Sequence, residues 1–322
     1  MKIPSLFLKF LHKLRVVFLL KFSLKPEKEQ AKLIATLRQE VSALPELNTD
    51  GSLEKQWVEY RRIIRREIIG SDPRNFLNWP AIRSSMYYES DKAEYDFLKS
   101  RPEWVEWQKI IKNFSVGRPR PYFLNTKTNG NLIHNAYLIA RLFGHFNLDF
   151  NSICSVTEFG GGWGAMGLCF NRAGFKGIYS VYDLPEFCFL QEYFTKAMEM
   201  DWAVEMNPKT AADSSLNLFY NFDCFRSAFK DCPTDLFIAA WSLSETPLSF
   251  RQEFLHALGE PKYFIIGYRD KFANIDNVEF FSRFVQSKQD NYEWANLPLG
   301  HLPNNFLLLG KKINVPNSHS KI

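Results

Sequence analysis

The stretch SICSVTEFGGGWGAMGLCFNRAGF, residues 152–175, joins a short apolar segment, a glycine-rich turn and a segment with helical spacing. SICSVTEF is rich in β-branched and apolar residues and predicts a strand, while WGAMGLCFNRAGF predicts a helix. Glycines between the two allow a tight turn and close approach of a ligand to the backbone, and the helix start adds free N–H groups and a positive dipole end. The stretch therefore predicts a ligand-binding strand–turn–helix unit of an α/β protein.

A second predicted strand, GIYSVYDLP, follows this unit. Asp183 lies at its end, 21 residues after Gly162. An acid in this place can accept hydrogen bonds from both ribose hydroxyls of an adenosine-containing cofactor. The order of strand, glycine turn, helix, strand and acid thus predicts a site for such a cofactor.

Two classes of cofactor fit the glycines. Gly162-x-Gly164-x-x-Gly167 matches the dinucleotide fingerprint, so a nicotinamide or flavin enzyme is one interpretation. Against it, Glu158 stands two residues before the first glycine, where a carboxylate can face a cationic amino-acid group but fits poorly beside a pyrophosphate. About 150 residues also precede the motif, whereas dinucleotide-binding folds commonly begin with it.

Downstream of the turn, predicted strands alternate with predicted helices. The further strands are LNLFYNF, TDLFIAAWSLSE and KYFIIGY, and the helices are EFCFLQEYFTKAM, SFRQEFLHALG and NVEFFSRFVQS. A final pair, YEWANLPL and NNFLLLGK, is close enough in sequence to form a hairpin. This alternation predicts an α/β fold with a doubly wound parallel sheet and an antiparallel pair at one edge.

The half of the chain before the turn has mostly helical spacing. We expect helices over EKEQAKLIATLRQEVSAL, over LEKQWVEYRRIIRREIIG, from about Asp91 to Phe114 and from about Gly130 to Phe146. The segment Val116–Asn125 must be a loop, because Pro119 and Pro121 forbid helix there. A stripe of four arginines on the second helix is typical of a solvated face: Arg61, Arg62, Arg65 and Arg66.

The positive charge is concentrated at the start of the sequence. Residues 1–25 hold six basic and no acidic side chains, whereas the other 297 residues hold 34 basic and 35 acidic ones. The nearly neutral remainder lacks the broad basic surface of a general nucleic-acid-binding protein. The spacing in residues 1–25 predicts a basic amphipathic helix on an anionic cytoplasmic membrane surface, with packing onto the protein as the alternative. It predicts neither a spanning helix nor a cleaved signal peptide.

The five cysteines show no spacing typical of metal ligands, and no cluster of acids and histidines predicts a metal. We expect these cysteines to be small buried side chains that stay reduced in the cytoplasm. The expected domains are the amphipathic helix, a helical cap over 26–150, a catalytic domain over 151–311 and a flexible tail over 312–322.

Several motifs together resemble a known family. Glu158-x-Gly160-x-Gly162-x-Gly164, Asp183 after the second strand and a closing hairpin resemble class I S-adenosylmethionine-dependent methyltransferases, which have a seven-stranded Rossmann-like sheet. More narrowly, VGRPR, TEFGGGWGAMG, YDLPEF, DLFIAAWSLSE and LPLGHLPNNFLLLG resemble the bacterial putative sugar O-methyltransferases linked to surface-polysaccharide synthesis. The similarity covers about residues 70–310, and it departs at Arg118, where the family has a smaller polar residue, and at Trp163, where Tyr is usual.

The resemblance implies S-adenosylmethionine as cofactor and assigns its contacts. Asp183 would bind the ribose, Leu184 would flank the adenine, and Asp223 with Cys224 would reach the amino edge of the adenine. The methionine end would lie against the acid and the glycines of the turn, namely Glu158, Gly160, Gly161, Gly162 and Gly164.

Methyl transfer to a sugar hydroxyl requires that the oxygen be held in line with the methyl group and that its proton be removed. His301 is one predicted base, because it lies in a turn between the last two strands and histidine exchanges protons near neutral pH. Glu245, at the end of the fourth strand, could act as base, orient His301 or bind a sugar hydroxyl. A helix-capping role is the alternative for Glu245.

The predicted substrate-binding residues complete the hypothesis. Arg118, Arg120 and Tyr122 would hold the phosphate of a nucleotide-sugar or lipid-linked glycan, and Trp241 and Ser244 would contact the sugar. Three further histidines lie within helical patterns and are predicted to be packed or exposed rather than catalytic: His134, His145 and His256. Two alternatives to a sugar O-methyltransferase stay open, a nicotinamide-dependent sugar oxidoreductase and a non-catalytic membrane-associated scaffold with a Rossmann-like fold.

Overall fold

A computed structural model describes residues 26–47, 52–210, 215–230 and 234–313 of the chain. The amphipathic helix predicted over residues 1–25 and most of the predicted tail, residues 314–322, lie outside the described residues.

The described residues form a Rossmann-like α/β fold around one large sheet. Its eight strands have the order β3-β4-β2-β1-β5-β6-β10-β9. In the part of this order from β3 to β6, which includes β1 and β2, all neighbouring strands pair in parallel. Strand β10 is antiparallel to both of its neighbours, β6 and β9. The strands are β1 (Ser155–Phe159), β2 (Ile178–Tyr182), β3 (Val204–Met206), β4 (Leu216–Phe219), β5 (Leu236–Ala240), β6 (Tyr263–Arg269), β9 (Tyr292–Pro298) and β10 (Asn305–Lys312), with β7 (Lys271–Phe272) and β8 (Ile275–Asp276) as a separate small hairpin.

The mostly parallel sheet and the closing hairpin are thus confirmed, but the expected strand count of seven is wrong. The additional strand is β3, an edge strand of three residues that pairs with β4. A strand this short shows no alternation that a sequence pattern could reveal. Burial follows position in the sheet, since the central strand β5 is apolar and its first four residues are buried, whereas the edge strand β9 is mostly half-buried or exposed.

The helices agree with the sequence pattern at most positions. They are α1 (Lys28–Ser42), α2 (Ser52–Gly70), α3 (Pro80–Ser85), α4 (Lys92–Lys99), α5 (Trp104–Ile110), α6 (Gly130–Phe146), α7 (Ala165–Arg172), α8 (Pro185–Ala197), α9 (Phe222–Phe229), α10 (Leu248–Leu258) and α11 (Asn277–Ser287). The single helix expected from Asp91 to Phe114 is wrong, because the chain forms α4 and α5 with a break at 100–103. Pro102 lies in that break and cannot continue the hydrogen bonding of a helix.

The chain divides into two compact units. The helical unit comprises the described residues up to Ala140, Gly162–Phe175 and Leu184–Trp202, and the sheet unit comprises Arg141–Gly161, Lys176–Asp183 and the described residues from Ala203 onward. Every described strand belongs to the sheet unit, together with α9, α10 and α11. The helical unit holds α1–α5, α7, α8 and the larger part of α6.

Each unit has an aromatic core of its own. In the sheet unit, Phe159, Phe225 and Phe254 belong to a cluster of buried apolar side chains. In the helical unit, Trp163 is 1% exposed, and its ring centroid lies 5.2 Å from that of Phe194 and 6.1 Å from that of Phe76. The high aromatic content of the chain therefore builds these cores.

Only half of the arginine stripe on α2 is the solvated face that the sequence predicts, since Arg62 and Arg66 are exposed whereas Arg61 and Arg65 contact a buried acid. Glu186, the glutamate of YDLPEF, is fully buried at the start of α8. Arg61 Nε lies 2.8 Å from one of its carboxylate oxygens, and Arg65 Nε lies 2.5 Å from the other. Two guanidinium groups thus compensate one buried carboxylate within the helical unit, an ion-pair arrangement that no sequence pattern reveals because its partners are more than 100 residues apart.

Candidate functional site

The glycine turn begins in the sheet unit, directly after β1. Gly160 has a φ of +72°, and its N–H donates a hydrogen bond to the carbonyl of Tyr182 at 2.8 Å. A Cβ atom at this position would lie 2.4 Å from the Cβ of Ser242, which follows β5. Only glycine therefore satisfies both the left-handed conformation and the close approach of the two strand ends.

Glu158 is a buried acid at the end of β1. Its side chain is 3% exposed, and the Tyr179 hydroxyl donates a hydrogen bond to Oε2 at 2.8 Å. Burial raises the pKa of Glu158 to about 8, the Tyr179 hydrogen bond opposes that rise, and the negative charge of Asp183 adds to it. Glu158 therefore carries a proton at neutral pH until a cation comes to lie beside it.

Asp183 comes directly after β2, where the sequence predicts it. The parallel register of β1 and β2 places Phe159 beside Tyr182, so Gly160 and Asp183 both lie just beyond the paired residues. The Asp183 N–H donates to the Phe219 carbonyl at 2.9 Å, and the residue is half-buried. The sheet thus brings the two predicted acids and the glycine to the carboxyl ends of adjacent strands, the usual ligand-binding edge of an α/β sheet.

From Gly162 onward, the glycine turn belongs to the helical unit. Gly162 has a φ of +58°, and its carbonyl accepts a hydrogen bond from Gln191 Nε2 at 2.9 Å. A Cβ atom on Gly162 would lie 3.3 Å from Met86 Sδ. Gly164, with a φ of +92°, is the N-cap of α7, and Leu184 is the N-cap of α8. Gly161, the remaining glycine of the predicted set, is half-buried in the sheet unit.

The segment after β5 carries three of the predicted site residues. Trp241 has a φ of +67°, and its indole N–H donates to Asn305 Oδ1 at 2.6 Å. Its ring lies so close to Gly267 that a Cβ there would stand 2.9 Å from ring carbons. The Ser244 hydroxyl donates to the Trp241 carbonyl at 2.5 Å, and the Ser242 hydroxyl donates to the Phe159 carbonyl. These hydrogen bonds tie the segment to β1 through Phe159 and to β10 through Asn305.

Arg251 supports the same segment and was missed by the sequence analysis. Its fully buried side chain donates to the Ser244 carbonyl at 2.5 Å, to the Thr246 carbonyl at 2.9 Å and to Asn277 Oδ1 at 2.7 Å. Burial lowers its pKa to about 10. The position of this arginine among the apolar residues of SFRQEFLHALG could have indicated such a supporting role, because a buried arginine must find several hydrogen-bond acceptors.

Glu245 and His301, the two predicted bases, both belong to the sheet unit. Glu245 ends a 3-10 helix, Leu243–Glu245, and burial raises its pKa to about 7. The carboxyl group can therefore exchange a proton in the neutral range, as a general base must. The N-cap of α10 is Pro247 rather than Glu245. His301 is half-buried in the turn between β9 and β10, where the Leu302 N–H donates to the Leu299 carbonyl at 2.8 Å.

The predicted phosphate-binding residues of the helical unit have different neighbours. Arg118 has a φ of +51°, and burial lowers its pKa while the nearby carboxylate of Asp72 opposes that effect. Arg120 forms an ion pair with Glu89, with 3.8 Å between Nη1 and Oε1. Tyr122 is buried, with its ring centroid 5.4 Å from that of Tyr95. Their assignment to one phosphate group stays a prediction.

The residues predicted at the adenine edge lie in the first turn of α9. The Asp223 side chain is 80% exposed and forms an ion pair with Arg226 at 2.6 Å. The Cys224 N–H donates to Oδ1 of Asn221, the N-cap residue, at 3.0 Å. Their role toward a cofactor stays a prediction.

One histidine that the sequence analysis set aside has an acidic partner. His134 is packed, as predicted, but its Nδ1 lies 2.8 Å from Oε1 of Glu94, a fully buried carboxyl group. The signal that could have indicated the pair is Glu94 itself, an acid on the buried face of the short helix α4.

The described residues contain neither a candidate metal-binding cluster nor a candidate membrane-spanning helix. They contain no group of three or more His, Cys, Asp or Glu side chains that could hold a metal ion. No helix in the described part of the chain is long and apolar enough to cross a membrane.

Comparison with known proteins gives distant structural matches. The chain matches no protein-family model and no curated protein sequence. Among solved structures it is similar to magnesium protoporphyrin IX methyltransferase (ChlM) from Synechocystis PCC 6803 with bound SAM, at 11% identity and a TM-score of 0.41, over 70% of this chain and all of that one. The methyltransferase domain of bacterial CtHen1-C matches at 13% identity and a TM-score of 0.41, over 56% and 98% of the two chains.

EvdMO1 matches at 10% identity and a TM-score of 0.39, over 58% of this chain, which spans only 42% of that protein. Values of this size describe distant similarity only.

Proposed function

We propose that the chain is an S-adenosylmethionine-dependent O-methyltransferase that acts on a sugar hydroxyl, in the synthesis of a surface polysaccharide or glycan. The observation that carries the proposal is the arrangement of Glu158, Gly160 and Asp183 at the carboxyl ends of β1 and β2. An open α/β sheet binds its ligands at this edge.

The charges at this edge favour the sulfonium cofactor over a dinucleotide. Glu158 is buried beside the negative charge of Asp183 and carries a proton at neutral pH; a cation bound beside it would stabilise its carboxylate form, whereas a bound anion would not. The amino group and the sulfonium of S-adenosylmethionine are cationic, whereas the pyrophosphate of NAD carries negative charge. Two neighbouring acids therefore oppose the nicotinamide alternative.

Different residues are the proposed contacts of different parts of the cofactor. Asp183 binds the ribose hydroxyls, and Glu158 with Gly160 and Gly161 accommodates the methionine end. The proposed further contacts in the helical unit are Gly162, Gly164 and Leu184. The proposed contacts of the amino edge of the adenine are Asp223 and Cys224. When bound, the cofactor supplies a methyl group already activated for displacement, so the protein has to bind, orient and deprotonate the acceptor.

The sugar acceptor is supported by the motifs that resemble sugar O-methyltransferases and by the segment after β5. Trp241 and Ser244 of that segment are the proposed sugar contacts in the sheet unit, and Glu245 and His301 are the groups there that can bind or deprotonate a hydroxyl. Arg118, Arg120 and Tyr122 are the proposed contacts for an acceptor phosphate.

Calorimetric titration tests the cofactor. We expect S-adenosylhomocysteine to bind the wild type and NAD not to bind. The Gly160→Ala variant should lose at least tenfold in affinity, because its Cβ would collide with Ser242 in a left-handed turn. Gly259→Ala is the matched control, since Gly259 has a similar φ of +78° but open space around it. Selective NAD binding would support the oxidoreductase, and binding of neither ligand would support the scaffold.

The acceptor is tested with glycans from a strain that lacks the gene. We expect the purified protein to transfer a labelled methyl group from S-adenosylmethionine to these glycans, and mass spectrometry to locate the new O-methyl group on a sugar. Labelling of protein or nucleic acid instead of glycan would overturn the proposed acceptor class.

A further inference from the structure

Two arginines of the helical unit share one carboxylate. Arg83 Nη2 lies 3.3 Å from Oε1 of Glu89, and Arg120 Nη1 lies 3.8 Å from the same oxygen. The exposed fraction is 25% for each arginine side chain and 43% for that of Glu89, so the group is accessible from solvent. Two positive charges against one negative charge leave these three groups with an excess of positive charge. We call Arg83 and Arg120 the arginine pair.

The hydrogen bonds of the arginine pair leave two donor atoms unused. Arg83 Nη1 and Arg120 Nε are buried and have no hydrogen-bond partner among the described residues. A buried donor without an acceptor costs free energy, and a bound anion supplies the acceptor that it needs. Because part of each side chain is exposed, rotation about its bonds can turn these N–H groups towards an anion that arrives from solvent.

Tyr87 connects the two arginines before any ligand binds. Its hydroxyl donates to the Arg120 carbonyl at 3.2 Å and accepts from the Arg120 N–H at 3.1 Å. The guanidinium carbon of Arg83 lies 5.7 Å from the centroid of the Tyr87 ring. The backbone of Glu89 is also held, since a Cβ on Gly130 would lie 2.3 Å from its carbonyl carbon. The positions of the charged groups are therefore largely set in advance, which lowers the cost of binding.

The preceding residue brings the glycine turn close to the arginine pair within the helical unit. Met86 Sδ would lie 3.3 Å from a Cβ on Gly162, and the Met86 carbonyl accepts a hydrogen bond from Asn131 Nδ2 at 3.0 Å. Segment 86–89 thus extends from the part of the turn that belongs to the helical unit to the shared carboxylate.

We propose that the arginine pair binds the diphosphate that links a sugar to its carrier, and that Glu89 takes the place of this diphosphate in the free protein. A diphosphate that joins a sugar to a nucleoside or to a lipid carries two negative charges, one for each guanidinium group. The planar fork of a guanidinium group also matches the oxygens of a phosphoryl group. A diphosphate can therefore compensate both arginines, whereas the single charge of Glu89 compensates one.

The inference rests on the proposed function, which supplies the sugar that the diphosphate carries. It adds Arg83 and Glu89 to the contacts proposed above, of which Arg120 is one. Binding of the diphosphate is measured without turnover, so the two proposals are tested separately.

Titration calorimetry with inorganic pyrophosphate tests the arginine pair in the full-length protein. Residues 1–25 add the same six basic side chains to every variant, so the differences between variants decide. We expect Arg83→Gln to lower the affinity at least tenfold, because charged hydrogen bonds are lost. Glu89→Gln should raise the affinity at least threefold, because it removes the competing negative charge and keeps the volume. A purely structural role of these side chains does not predict changes of opposite sign.

Arg101→Gln is the matched control. Arg101 belongs to the same unit, is 31% exposed and forms an ion pair with a single acid, Glu103, at 3.6 Å. Its guanidinium carbon lies 5.9 Å from the ring centroid of Phe97, much as that of Arg83 lies over Tyr87. The affinity of this variant for pyrophosphate should stay within twofold of wild type.

Competition then distinguishes the carriers of the sugar. UDP-glucose and glucose linked to farnesyl diphosphate are each added to the protein with bound pyrophosphate. Displacement by the first indicates a nucleotide-linked sugar, and displacement by the second indicates a lipid-linked one. Displacement by either supports the inference, and displacement by neither would overturn it.

The remaining outcomes are also decisive. Equal losses in Arg83→Gln and Arg101→Gln, or a Glu89→Gln variant that binds no more tightly than wild type, would overturn the inference. If Arg83→Gln does not fold, Arg83→Lys decides, because it keeps the charge and loses the fork, and its affinity should fall at least threefold. Binding of S-adenosylhomocysteine by the same protein upholds the proposed function in each of these cases, and its absence would overturn that function.

Discussion

Glu158 combines two properties that oppose each other. Burial keeps its carboxyl group protonated at neutral pH, whereas the proposed ammonium ligand requires the carboxylate. The free protein is therefore less stable around neutral pH than it would be with an uncharged side chain at this position. Cofactor binding removes that penalty, so the residue favours the bound state at the expense of the free one.

The Glu158→Gln variant tests the opposing effects of Glu158 on stability and on cofactor binding. The pKa of Glu158 rises from 4.5 to about 8 on folding, so its stabilising protonation is fully present below pH 4.5 and is lost as the pH rises towards 8. The melting temperature of the variant relative to wild type should therefore be unchanged near pH 4.5 and higher by at least about 4 °C at pH 8. Its affinity for S-adenosylhomocysteine should fall at least tenfold.

Thermal melts and titrations across this pH range check both parts. Glu205→Gln, a change at an exposed acid on β3, is the control and should show no such pH-dependent difference. A Glu158→Gln variant that is less stable than wild type at pH 8 would contradict the assigned burial.

Helices and strands with a periodic sequence pattern were predicted well. Elements whose bounds depend on a single residue or on contacts with distant residues were not predicted. Helix α6 has the predicted bounds because its apolar residues recur at helical spacing, and α11 agrees for the same reason. The break between α4 and α5 depends on Pro102, and β3 exists only through its pairing with β4. The segment after β5 was recognised, but its support by Arg251 was not, since that contact depends on where α10 packs.

Arg251 should stabilise the protein through its hydrogen bonds to the segment after β5. Arg251→Met removes the donors to the Ser244 and Thr246 carbonyls and keeps most of the volume, so the free energy of unfolding should fall by about 3 kcal/mol. Urea unfolding measures this change. Arg226→Met, a change at an exposed arginine on α9, should cost less than about 0.5 kcal/mol. Equal effects of the two substitutions would show that the buried hydrogen bonds of Arg251 contribute nothing to the free energy of unfolding.

At the scale of the whole molecule, the sequence predicts the class of fold and the positions of Glu158 and Asp183 at the strand ends, because strand ends and glycine turns leave local patterns. The pairs Glu186–Arg65 and His134–Glu94 leave none, since each joins residues at least 40 positions apart. A stripe of arginines on a helix has the same pattern whether it faces water or a buried acid. Contacts between distant elements, including the support of the segment after β5 by Arg251, are thus the part of the structure that the sequence could not predict.

Residues 1–25 lead to a prediction about the whole chain. If this basic segment binds membranes, the full-length protein should sediment with anionic vesicles at low salt, because apolar burial and about 1 kcal/mol per basic residue act together. The protein without residues 1–25 should stay in the supernatant and keep its turnover on a soluble acceptor. Neutral vesicles serve as the control. Equal sedimentation of both forms, or loss of folding on truncation, would contradict a membrane role.

The division of the chain into two units has a consequence for its synthesis. The helical unit recruits Gly162–Phe175 and Leu184–Trp202, so its core is completed late: Phe114 packs with Phe194 at a centroid distance of 5.5 Å. At about 5–20 residues per second, a ribosome needs roughly 4–16 seconds to add the intervening 80 residues. During that interval Phe114 lacks its contact with Phe194, so this part of the core of the helical unit stays incomplete while the chain is being synthesised.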